Sequence, residues 1–161
     1  MALPVAAFAQ DESNKDQYLS TNYQLTLKAA YALAETAREK ATTMGKQVSI
    51  AIVDQAGVSI LITSGDGVGP HNTEAARRKA YTALSTKTAT LTLARNAKMS
   101  RDSENLAFLP ELFLLGGGVP LWYNHLIVGS IGVAGGGSAE NDHLIAKSAI
   151  LSVAGITIEN Q

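Results

Sequence analysis

The chain has 161 residues, 46% of them hydrophobic and 17% charged, with 14 glycines and no cysteine; that is enough for one domain with its own core and short for two. Thirteen basic against fourteen acidic residues leave a net charge of −1, which gives no basic surplus for a phosphate backbone and argues against nucleic acid as a partner. Without cysteine there are no disulfides, thiolate metal sites or cysteine nucleophiles, and no run reaches the roughly 18 apolar residues of a membrane span.

In chain order, Ala2 to Gln10 are small and apolar and include Ala7-Phe8-Ala9, the small-x-small pattern of a signal-peptidase site, before polar Gln10-Asp11-Glu12. A basic start and a full apolar stretch are missing. Residues 1–20 are therefore expected to be a signal-peptide remnant and flexible leader of a periplasmic or secreted protein, and residues 21–161 a single domain. Leu25, Ala29, Ala32, Leu33, Ala37 and Ala41 recur at helical spacing and predict a helix over 23–44, capped by Thr21 or Asn22 and stopped by Gly45.

Val48–Val53 and Val58–Thr63 read as two strands joined by an Asp54-Gln55-Ala56-Gly57 turn. A loop rich in glycine and proline follows to His71. A second helix is expected to start at Asn72 or Thr73, with Ala76, Ala80, Ala83 and Leu84 inward. Thr88–Ala97 suits a short helix and Lys98–Asn105 a loop. The stretch from Leu114 to Gly155 organises the rest: Gly116-Gly117-Gly118, a hairpin of Val119–Tyr123 and Leu126–Ala134 turning at Asn124-His125, then Gly135-Gly136-Gly137. Ser138 is the expected cap of a last helix whose buried stripe takes in Leu144, Ile145, Ala149, Leu151 and Ile156. The triplets are read either as tight strand-end turns or as bare main chain lining a pocket for a flat ligand. Hairpins require antiparallel neighbours, so the fold class is α+β, with helices covering the sheet.

Val53-Asp54-Gln55-Ala56-Gly57, Gly65-Asp66-Gly67, Arg78–Ala83, Leu115–Pro120, Val128–Gly135 and Glu140-Asn141-Asp142 stand in an order and spacing that resemble the GlcG/HbpS-like family of haem-binding or haem-degrading proteins, itself related to the C-terminal domain of PduO-type corrinoid adenosyltransferases. The resemblance spans about residues 22–158. It implies a profilin-like antiparallel sheet of about five strands with helices on both faces, assembly into dimers or larger rings, and haem as the ligand of extracellular members. This chain departs from the family in having Thr63-Ser64 where an arginine often precedes the Asp-Gly pair.

In that setting His71 is the expected iron ligand, a neutral imidazole on the loop that opens the second helix. Lys79 and Arg78 are the expected propionate partners, and Gly116, Gly117, Gly118, Gly135 and Gly136 the main chain facing the macrocycle. His125 and His143 carry weaker expectations, as do Tyr81, Trp122 and Tyr123 as flanking aromatics and Met99 as an axial ligand. The histidines lack the spacing of a zinc site, and there is no P-loop, dinucleotide fingerprint or nucleophile elbow. The reading is an exported protein that captures, stores or slowly degrades haem or another planar tetrapyrrole, with binding better supported than turnover. Its rivals are a factor acting on a small organic acid or corrinoid, and a homo-oligomeric module without pocket chemistry.

Overall fold

The computed structural model describes residues 18, 20 and 22–159, so the expected leader lies almost wholly outside the described residues. Helix α1 (Leu27–Thr43) leads into the hairpin of β1 (Ser49–Asp54) and β2 (Ser59–Thr63). Helices α2 (His71–Thr86), α3 (Thr90–Ala97) and the single turn α4 (Arg101–Glu104) follow, the last running into a 3-10 turn at Asn105–Phe108. A second hairpin, β3 (Gly118–Tyr123) and β4 (Leu126–Ala134), precedes α5 (Ala139–Lys147). The strands make one antiparallel sheet in the order β2-β1-β4-β3. The expected fifth strand is reduced to one residue: Thr157 exchanges backbone hydrogen bonds with Trp122 at 2.7 and 2.9 Å.

Both turns follow from their side chains. Asp54 Oδ1 accepts from the amides of Ala56 and Val58 at 2.9 Å each, an Asx closure that turns β1 back into β2. Asn124 and His125 both adopt left-handed φ, 46° and 61°, as a two-residue hairpin with matching twist requires.

Alternation along the strands then sorts the two faces. Ile50, Ile52, Val119, Leu121, Ile131 and Val133 meet Leu33, Ala37 and Ala41 of α1 and Ile145 of α5 in the main core; each such aliphatic side chain contributes about 1.5–3 kcal/mol by burial. The opposite face offers Ala51, Val53, Ser130, Gly132 and Ala134, and α2 lies on it through Ala76, Ala80 and Leu84. Helices cover both faces, as expected.

Four boundaries differ from expectation. The cap of α1 is Thr26, whose hydroxyl accepts from Ala29 N at 3.1 Å; Leu25, expected inside the helix, is buried ahead of the cap. Helix α2 begins at His71 itself, behind Pro70 and without a side-chain cap, so Asn72 and Thr73 are helical. Lys98–Asn105 holds α4 rather than a plain loop. Leu144 is 51% exposed; α5 ends at Lys147, and Leu151 and Ile156 reach the core from the segment beyond it, joined by their own bridge.

Candidate functional site

The glycine triplets act first as close-packing positions. A side chain at Gly118 would collide with the carbonyl oxygen of Lys79, and one at Gly132 with that of Ala76, so α2 rests directly on the strand backbone. At Gly116 a Cβ would meet Ala139 O at 2.7 Å, at Gly117 the carbonyl oxygen of Val133, and at Gly136 the carboxylate Oδ1 of Asp142 at 2.7 Å. Protein atoms therefore stand close on the side where a Cβ would project at Gly116, Gly117, Gly118 and Gly136. Gly116 also reaches a cavity of about 360 Å³, walled by Leu91, Ala94, Leu114 and Leu115 with the Arg95–Glu140 pair at its rim.

Lys79 is the centre of this packing, and its ammonium is engaged within the protein. It is 1% exposed; Nζ donates to Asp142 Oδ2 at 2.7 Å and to Val133 O at 3.0 Å. Burial lowers its pKa, opposed by the charge and hydrogen bond of Asp142. The other Asp142 oxygen accepts from Gly136 N at 2.7 Å, and Asn141 Nδ2 donates to Gly136 O at 2.9 Å. Lys79, Gly117, Gly118, Gly136 and Asp142 thus form one knot that ties α2, β3, β4 and α5 together.

The cations beside Lys79 are engaged as well. Arg78 donates to Pro110 O at 2.7 Å and Leu112 O at 3.0 Å and lies 4.8 Å from the Phe113 ring centroid, which pins the segment ahead of β3. Arg77 pairs with Glu74 at 2.6 Å, an exposed bridge of small energetic consequence.

His71 is exposed as the first residue of α2. Its ring lies against Gly69, where an added Cβ would stand 3.0 Å from the imidazole Cε1, while Gly67, at φ +70°, faces open space. Behind the loop, Ser49 Oγ lies 3.3 Å from both Ser64 Oγ and Thr73 Oγ1, fixing the helix start to β1. The loop also reaches the second triplet: a Cβ on Gly135 would sit 3.3 Å from Val68 Cγ1. One further residue, Lys46, belongs here, its Nζ 3.6 Å from the Cβ position of Gly137. In the sequence Gly45 stands out as the helix stop, and Lys46 carries no motif of its own. His71, Val68, Gly135 and Lys46 therefore share one end of the sheet, with an imidazole, an apolar contact, bare main chain and a cation.

The remaining nominated residues lie elsewhere. Tyr81 packs against Gly57, and Tyr123 meets Tyr23 edge-on with ring centroids 4.8 Å apart. Met99 is exposed on the α3–α4 connection. Trp122, His125 and His143 line concavities beside β3. Burial lowers the pKa of His143, with Lys147 and Arg95 adding to the effect, and its Nδ1 is buried without a hydrogen-bond partner. Among the described residues no three His, Asp or Glu side chains gather as a metal site.

Residues 25–151 match the family described as haem degrading protein HbpS-like. An uncharacterized 15.0 kDa protein from the dhaT-dhaS intergenic region of Citrobacter freundii is 30% identical over 139 residues, covering 85% of this chain and 95% of that one. The crystal structure of HbpS superposes with a TM-score of 0.76 at 36% identity, over 83% of this chain and 92% of that chain. A PduOC complex with haem superposes at 0.75 with 27% identity, over 85% and 99% of the two chains.

Proposed function

The chain belongs to the HbpS-like family, and from that premise we propose that it is a haem-binding protein whose ligand sits at the end of the sheet marked by His71. The likeness to the PduOC complex with haem carries this reading. The residues at that end fit the group. An exposed imidazole can take iron through a nitrogen lone pair. Val68 and the open face of Gly67 suit an apolar macrocycle edge, and Gly135 adds bare main chain. Lys46 supplies the charge for a propionate that Lys79, held by Asp142, does not. Iron would supply the redox and ligand chemistry; the protein's part is to hold and orient the ring.

Capture or storage is the role favoured over breakdown, because His71 is exposed at the start of α2, whereas turnover depends on a distal pocket that controls access to the iron. The Ala7-Phe8-Ala9 pattern supports export as the setting. Self-association is part of the same reading: Leu27 and Tyr31, one turn apart on α1, are both exposed, an apolar pair suited to a second copy.

Hemin titration followed at the Soret band tests the reading. Wild-type protein is expected to give a saturable band, and His71→Ala a shifted or lost one. Absence of saturation in the wild type removes haem binding, whereas an unchanged spectrum in His71→Ala removes only the ligand assignment.

A further inference from the structure

The sheet ends at β3 on an edge that does not suit a further regular strand. Gly118, Pro120 and Trp122 turn their backbone groups away from β4. Gly118 N donates to Thr90 Oγ1 at 2.8 Å and Trp122 N to Thr157 O at 2.7 Å; Pro120, between them, has no N–H. A further strand along this edge would lose a ladder bond at the proline, and a trough lies where that strand would run. It consists of two concavities, about 870 and 410 Å³, that share Trp122, Lys147, Ile158 and Glu159. Val119, Pro120, Trp122 and Ile158 give it an apolar wall, while Lys87 and Lys147 supply cations. Glu159 is the one acid among the described residues that line it.

We propose that this trough is a separate binding site for a small organic acid with a flat apolar body, the body against Trp122 and the carboxylate at Lys147 and Lys87. An indole beside an apolar wall favours a flat hydrocarbon partner, and a lysine ammonium is a compact charge suited to a single anionic group. Burial first, and then Lys147 and Arg95, disfavour a proton on His143 in the wall of the trough, and a cation that repels a proton attracts a carboxylate. The trough is distinct from the end carrying His71: Lys87 follows the C-terminus of α2, and a helix of 16 residues spans about 24 Å.

Trp122 is the sole tryptophan of the chain, so its fluorescence reports on the trough directly. Benzoate is the probe and benzamide its uncharged control. Benzoate is expected to give a saturable change, with benzamide at least about tenfold weaker. Lys147→Ala and Lys87→Ala should each weaken benzoate several-fold, and Lys147→Arg should retain it. The proposal is overturned if benzoate fails to saturate, if benzamide binds equally well, or if both alanine variants bind like the wild type. It does not depend on haem binding: His71→Ala should leave benzoate affinity unchanged, and displacement of benzoate by hemin would show that there is one site instead of two.

Discussion

The Lys79–Asp142 pair shows how a single residue can carry a motif without touching a ligand. The ammonium and carboxylate are both buried, and Asp142 also holds Gly136 N. Removing one partner strands a charge in the interior, so Asp142→Ala should lower unfolding free energy by about 3–5 kcal/mol in chemical denaturation. The double variant Lys79→Met with Asp142→Leu should recover most of that loss, since no unpaired charge remains. The sequence nominates Lys79 as a cation next to Arg78, but its partner lies 63 residues further along the chain and only the fold brings them together. His143 gives a second expectation. Its folded pKa lies below 6.5, so the unfolded chain takes up the proton first and stability is lost as pH falls from 6.5 to the lower folded value. Denaturation at pH 7.5 and 5.5 should show a drop in the wild type that is smaller in His143→Gln.

At the level of elements, α2 sits on the sheet because its contact face and the strand face opposite are both small. Gly132→Ala drives a methyl into the carbonyl oxygen of Ala76, backbone on backbone, where neither side can turn away. A loss of at least about 1–3 kcal/mol is expected from thermal or chemical unfolding; a fully stable variant would mean that α2 can ride higher on the strands. Thr26→Ala removes the α1 cap and should cost about 1 kcal/mol. The hairpins were legible because alternation and turn chemistry are local: Asp54 closes its own turn, and Asn124 tolerates left-handed backbone. The start of α1 was not, since Thr21, Asn22 and Thr26 are all capping types and Leu25 fits the apolar stripe. What separates them is the burial of Leu25 ahead of the helix, a tertiary contact. The trough beside β3 was hidden for the same reason: Ile156 reads as a helix position until Thr157 is seen to pair with Trp122.

For the whole molecule, one end of the sheet gathers His71, Val68, Gly135 and Lys46, while the resemblance motifs mostly build the knot beneath. The sequence therefore points to the family, while several of its motif residues, Lys79, Gly118 and Asp142 among them, serve first to close the fold. If haem binds the folded chain alone, hemin at about 100 times its dissociation constant should raise unfolding free energy by about 2.7 kcal/mol, and an unmoved melting transition would speak against it. Lys46→Glu should weaken hemin about two- to five-fold, the scale of one exposed ion pair. The two margins of the sheet are also unequal. With Thr90, Pro120 and Thr157 occupying the β3 margin, β2 is the edge that the described sheet leaves for main-chain pairing between copies. Such a contact would join like to like and close as a twofold pair instead of propagating into a fibre.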